Sequence, residues 1–192
     1  LCAPLLVSAQ YTGTIKGRIG KSTGQKVLLS YSVNGNIIRD SAYLQEGQFK
    51  FELRFDDLSP ATLRLEHGKS DKSLGFDTKD CFLEPGLFRI ESEDSLANAK
   101  IVVGDLNKDY FVFRHFTGLE EVQKLSKVSK LIKDEAQLIT LRERRAAIFE
   151  QLQHKYEAYV GSHPNSYFSL FALGFMSPGT AKIEPLFDKF AS

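Results

Sequence analysis

Phe49-Lys50-Phe51-Glu52-Leu53-Arg54-Phe55 alternates large apolar and charged residues along its whole length. In an extended chain, successive side chains point to opposite faces. The alternation therefore puts Phe49, Phe51, Leu53 and Phe55 on one face and Lys50, Glu52 and Arg54 on the other, the pattern of a strand with one buried side. Period-two stretches recur on both sides of it, and Thr14–Arg18, Lys26–Ser32, Ala61–Glu66, Cys81–Leu83, Leu87–Glu91 and Lys100–Val103 are the further strand candidates. Asn34-Gly35, Glu46-Gly47 and Pro85-Gly86 punctuate them with residues that tolerate tight turns. Short antiparallel strands at this spacing predict a β-sandwich or open barrel over residues 11–104.

After Gly104 the apolar period lengthens to that of a helix, and the fold class becomes α+β, with a helical region over residues 105–192. Asp105 or Asn107 is the expected N-cap of a segment carrying Tyr110, Phe111 and Phe113. A long charged helix is expected from about Leu119 to Tyr159, broken near Lys130. Its apolar seam reads Ile132, Ala136, Ile139, Ala146, Phe149, Leu152, Tyr156 and Tyr159. Gly161 and His163-Pro164 end it; a second apolar helix follows from Ser166 to about Phe175, and Ile183–Ala191 reads as the start of another.

The 192 residues are 42% apolar and 26% charged, a globular composition able to bury a core. Lys and Arg total 25 against 24 Asp and Glu, so the formal net charge of +1 gives no overall field toward phosphates, and no nucleic-acid partner is expected. No apolar run downstream of the first residues approaches the roughly 20 residues of a membrane helix. Residues 1–9, Leu-Cys-Ala-Pro-Leu-Leu-Val-Ser-Ala, read as the remnant of a secretory signal peptide. Val7 and Ala9 fit a cleavage site before Gln10, which implies an exported, secreted protein. Cys2 would leave with that segment unless it serves as a lipid anchor. Cys81 then stands alone, and without a C-x-x-C pair the chain can build neither a redox dithiol nor a zinc knuckle.

Other groups that could carry chemistry have simpler readings. Gly20-Lys21-Ser22 lacks the upstream glycine of a phosphate loop, whose place is taken by Ile15, and it reads as a hairpin turn. His67, His115, His154 and His163 have no metal-ligand spacing, and His163 reads as a helix cap. Cys81, beside Phe82 and Leu83, reads as a buried thiol. The acids at Asp56-Asp57, Glu91 to Asp94 and Glu120-Glu121 read as solvated or capping groups, and Arg142-Glu143-Arg144-Arg145 as a surface ion-pair run. No catalytic, cofactor-binding or metal residue is assigned.

Five short motifs follow one another along the chain: Ile15-Lys16-Gly17-Arg18-Ile19, Glu46-Gly47-Gln48-Phe49-Lys50-Phe51, Phe82-Leu83-Glu84-Pro85-Gly86, Gly104-Asp105-Leu106-Asn107 and His163-Pro164-Asn165-Ser166. The ordered set resembles the N-terminal domain of unknown function that precedes a thioredoxin-like domain in bacterial envelope thiol-disulfide oxidoreductases of the TlpA, ResA and peroxiredoxin-like (AhpC/TSA) type. The resemblance implies a β-rich first half, a helical second half, a place in the periplasm or cell envelope, and a thioredoxin-like domain in cis that bears the catalytic cysteines. No catalytic motif of that domain falls on any residue here. The expected role is therefore a non-catalytic accessory region that positions the redox domain or mediates partner contacts, including a homodimer through the long helix. The alternative is a stand-alone envelope binding module for a lipid, peptide or glycan.

Overall fold

A computed structural model describes residues 11–21, 23–33, 35–67, 77–129 and 132–176. The signal-peptide reading of residues 1–9, Cys2 and the tail reading of Ile183–Ala191 lie outside them. The described residues form strands β1 (Tyr11–Ile19), β2 (Lys26–Val33), β3 (Asn36–Tyr43), β4 (Gln48–Phe55), β5 (Pro60–Glu66), β6 (Asp77–Phe82), β7 (Gly86–Ser92) and β8 (Lys100–Val103). Helices α1 (Asp105–Thr117), α2 (Leu119–Ser129), α3 (Glu135–Ser162) and α4 (Tyr167–Phe175) follow. The chain divides into two units, Leu1–Lys108 and Asp109–Ser192.

The strands make two four-stranded sheets, ordered β4-β1-β7-β8 and β3-β2-β5-β6. One apolar cluster lies between them, drawing Ile15, Phe49, Phe51, Phe88 and Ile90 from the first and Val27, Leu29, Leu63, Leu65 and Cys81 from the second. The molecule is thus α+β with an N-terminal sandwich. All pairings are antiparallel as expected except one: β1 and β7 run parallel, with Ile15 opposite Phe88 and Gly17 opposite Ile90.

The alternation in β4 is buried as written, Phe49, Phe51, Leu53 and Phe55 facing inward. On neighbouring β1 the inward residues opposite them include two glycines, Gly17 facing Phe49 and Gly13 facing Leu53. A Cβ on Gly17 would stand 2.0 Å from the Phe49 ring. The missing side chain is what leaves room for that ring over β1.

Two expectations change. Gly20-Lys21 is a turn, but β1 and β2 belong to different sheets, so it is a crossing connection and not a hairpin; Ser22 lies outside the described residues. Strand β3 has no counterpart among the sequence candidates. It is the edge of its sheet and almost wholly solvated, with Ile37 66% and Tyr43 61% exposed, so no buried face imposes an alternation. Val33 pairs with Asn36, which leaves two residues in the connection, of which Gly35 has φ +77°; Asn34 is not described.

In the second unit Phe113, fully buried on α1, is the hub of an aromatic cluster. Its ring lies 5.8 Å from Tyr156, 5.0 Å from Tyr159 and 5.5 Å from Phe168. Asp134 caps α3 by accepting from the Gln137 N–H at 2.9 Å. The expected break falls between α2 and α3, while Lys130 and Leu131 are not described. The seam of α3 is corrected over its first half. Leu152, Tyr156 and Tyr159 are buried, but Ala136, Ile139, Ala146 and Phe149 are exposed, and Leu138, Leu141 and Ile148 are half-buried in their place. These continue into Leu152 at helical spacing, so the inward face is rotated by about one residue. Gly161 lies inside α3, and His163 is its C-cap, donating its N–H to Tyr159 at 2.8 Å.

Phe113→Ala should destabilise the protein by about 3–5 kcal/mol, the usual cost of emptying a buried aromatic site. Phe149→Ala should cost less than about 1 kcal/mol, because a side chain 48% exposed leaves little cavity. Denaturant unfolding followed by helical circular dichroism separates the two, and equal losses would contradict the assigned face.

Candidate functional site

Two of the short motifs, separated by some twenty residues, meet in space where the sandwich gives way to α1. Asn107, buried in the first turn of α1, accepts the Phe82 N–H on Oδ1 at 2.8 Å and donates Nδ2 to the Phe82 carbonyl at 2.9 Å. Strand β6 is a sheet edge, and the carboxamide satisfies both outward backbone groups of Phe82 as a further strand would. Glu84 is buried beside it, and its Oε2 accepts the Leu106 N–H at 2.8 Å. The free N–H at the start of α1 is therefore capped by an acid from another element, where the helix dipole favours a negative charge. The expected caps Asp105 and Asn107 do other work: Asp105 is exposed and pairs with Lys108, and Asn107 holds Phe82.

Gly104 completes this joint. Its φ is +129°, and a Cβ there would stand 2.1 Å from Glu84 Oε1 and 2.7 Å from the Phe88 ring. A shallow groove of about 350 Å³ opens alongside, lined by Leu58, Glu84, Leu87, Val103 and Leu106 among others. Burial pushes the Glu84 carboxyl above the ordinary glutamate range, with Asn107 and the Leu106 N–H pulling it part of the way back. An acid held in this way is equipped to cap a helix. Its other oxygen, Oε1, is buried with no hydrogen-bond partner among the described residues, and a role as a general acid would need a reacting group within hydrogen-bond reach of it.

A second buried acid ties the sandwich together elsewhere. Asp77 on β6 accepts the N–H groups of Leu96 at 3.2 Å and Ala97 at 2.7 Å, and its Oδ2 lies 3.1 Å from His67 Nε2. Leu96 and Ala97 belong to the β7–β8 connection, so this carboxylate joins one sheet to the other. Neither Glu84 nor Asp77 stood among the sequence candidates. An acid between Leu83 and Pro85 was the available signal for the first; the backbone partners of Asp77 lie 19 and 20 residues away and His67 lies 10 away, and none of them leaves a local trace.

The candidates weighed from sequence are dispersed. Cys81 is buried on β6 and its thiol is pushed up to about 12, first by burial and then by the charges of Asp80 and Glu84. Such a thiol stays protonated and is a poor nucleophile. His115 and His154 are exposed on α1 and α3. His163 stacks on Tyr159 with ring centres 4.3 Å apart and accompanies the cap described above. Asp94 accepts from Asn98 and Ser92 within its own turn, which holds its carboxyl below the usual range. Glu120 pairs with Lys124 at 3.0 Å and Glu121 with Arg144 at 2.5 Å, while Arg145 lies over the Phe149 ring. Asp56 and Asp57 sit in the β4–β5 turn. Among the described residues no group of His, Cys, Asp and Glu gathers where it could hold a metal ion, and no helix is long and apolar enough to cross a membrane.

Residues 12–110 match the family described as "Domain of unknown function (DUF4369)". That stretch holds the whole sandwich from β1 and both sides of the Glu84–Asn107 joint. No curated protein matches the chain.

A glutamate whose folded pKa is raised contributes stability that is fully present below its unfolded value and is lost as pH rises through the folded one. Glu84→Gln keeps an acceptor for Leu106 and removes the buried charge, so its stability should fall less than the wild type's between weakly acidic and neutral pH. Glu84→Ala leaves the Leu106 N–H without its acceptor and should cost about 1–3 kcal/mol. Denaturant titrations at several pH values check both, and an unchanged pH slope in Glu84→Gln would contradict the assignment.

Proposed function

The chain belongs to this family of domains of unknown function, and we propose that it is the non-catalytic accessory region of an exported thiol-disulfide oxidoreductase, placed in the periplasm or cell envelope. Its task on this reading is to position a redox domain that follows it in cis, or to mediate its partner contacts. The observation that carries the non-catalytic part of the proposal is the state of Cys81: the thiol lies inside the sandwich with its pKa pushed up to about 12, unfit for disulfide exchange; the link to a redox domain rests on the resemblance of the ordered motifs. The fate of the motif residues supports it as well. Gly17, Glu84, Gly104, Asn107, His163 and Ser166 are engaged in packing, capping and joining, the work that an accessory architecture asks of its motifs.

The test begins with the native gene beyond the codon for Ser192. A thioredoxin-like domain with a C-x-x-C pair is expected there, and a different catalytic domain would overturn the reading. The intact protein should then catalyse insulin reduction, and a fragment of residues 11–192 should not. In the native fold Cys81 should resist an aromatic disulfide reagent and react on unfolding, with the labelled position identified by mass spectrometry. N-terminal sequencing of the exported product should begin at Gln10.

A further inference from the structure

The outer face of the β4-β1-β7-β8 sheet carries more cations than carboxylates around its middle strand. Lys16, in the interior strand β1, lies opposite Lys50 on one side and Arg89 on the other, so three cations stand in a row across three strands. Neighbouring strands are roughly 4.8 Å apart, and like charges directly opposite one another are unfavourable. One step along the strand, Arg18 faces Gln48 and Glu91. Two carboxylates are already engaged: Glu52 pairs with Lys50, and Glu91 lies 3.6 Å from Arg89. Lys16 and Arg18 are exposed and make no ion pair within 4 Å among the described residues, although Lys16, after Lys50, helps hold the Glu52 carboxyl below its usual range and Arg18 stands opposite Glu91. Thr12 and Thr14 occupy the same outward side of β1, so uncharged residues suffice for the strand.

This row lines a groove of about 910 Å³ together with the β3–β4 corner, Tyr43, Gln45, Glu46 and Gln48; Lys16, Arg18, Lys50 and Arg89 stand there against Glu46 and Glu91, so cations remain in excess. Tyr43 is 61% exposed, and its phenol ring offers an apolar face with a polar tip. Cations spaced at the strand repeat call for a ligand with recurring negative charges. A walled groove suits an elongated molecule better than a flat bilayer. Glutamine amides and a solvated tyrosine suit a ligand rich in hydroxyl groups, since amides bond hydroxyls in both senses and the ring covers the C–H face of a sugar.

We infer that this groove binds an acidic oligosaccharide, its carboxylates or sulfates on Lys16, Arg18, Lys50 and Arg89 and its hydroxyls on Gln45, Gln48 and Tyr43. The inference rests on the sandwich alone and holds whether or not a redox domain follows.

The experiment is calorimetric titration of the intact protein with a galacturonate hexasaccharide at low and high salt. A neutral maltohexaose, polyglutamate, single-stranded oligothymidylate and phosphatidylglycerol vesicles are measured in parallel. The galacturonate should bind, and binding should weaken as salt rises. Lys16→Thr should reduce affinity by about tenfold or more, as loss of a charge-assisted contact does, while its melting temperature stays level or rises because the like-charge row is relieved. Tyr43→Ser should weaken binding without changing its salt dependence, and Arg142→Ala on α3 should leave it unchanged. Lys50→Gln gives the same reading as Lys16→Thr should the latter fold poorly. Absence of galacturonate binding, or binding that Lys16→Thr and Lys50→Gln leave intact, overturns the inference. Tighter binding of polyglutamate, DNA or vesicles through the same residues overturns the saccharide assignment.

Discussion

The fit of Phe49 over Gly17 is the constraint from which the sandwich follows. Strand β1 is hydrogen-bonded on both sides, antiparallel to β4 and parallel to β7, so its inner face is hemmed in by Phe49, Phe51 and Phe88. Large rings on β4 can lie inward only if β1 gives way, and Gly13 and Gly17 do so while Ile15 and Ile19 fill the spaces between. Small opposite large is how facing strands reach interior packing density without voids. A β1 of uniformly large residues would push β4 outward and open the core that both sheets share.

The second dependence is polar. Where β8 ends and α1 begins, the backbone must leave a sheet and start a helix, and both events strand hydrogen-bonding groups. Asn107 closes the edge of β6 and Glu84 caps the first turn of α1, while Gly104 supplies the backbone conformation that brings the two together. A charge buried there is costly unless it is bonded. Glu84 meets that condition on one oxygen, Oε2 accepting the Leu106 N–H, while the buried Oε1 has no hydrogen-bond partner among the described residues, and the cost appears as its raised pKa.

Much of this was legible in the sequence, and the misses share a cause. The alternation in β4, the change of period after Gly104 and the buried character of Cys81 all depend on a residue's own neighbours, so a local reading recovers them. Strand β3 escaped because an exposed edge has no face to pattern. The seam of α3 came out about one residue off: Ile139 and Phe149 lie beside a second apolar line through Leu138, Leu141 and Ile148, and only packing chooses between them. The parallel pairing of β1 with β7, the Asp77 tie and the Glu84 cap each join residues far apart along the chain. Composition at one end carries no information about the other, even where, as with Phe82–Gly86 and Gly104–Asn107, both ends stand out as motifs.

The two faces of β1 answer to different demands, and the difference separates what the fold requires from what it permits. Inward, Gly13 and Gly17 have no room for a Cβ beside Phe55, the Glu84 carbonyl and Phe49, and Ile15 and Ile19 are buried in the core. Outward, solvent accepts nearly any polar residue, and charges of alternating sign would stabilise the sheet by pairing across strands. A row of cations directly opposite one another is unfavourable, and Glu52 and Glu91 offset it only from neighbouring positions. Its energetic cost is small for solvated side chains, yet nothing in the packing explains why it stands at Lys50, Lys16 and Arg89, with Thr12 and Thr14 farther along the same strand. Inner-face chemistry is explained by the core; the outer-face row, which the core does not ask for, is what the proposed acidic ligand would account for.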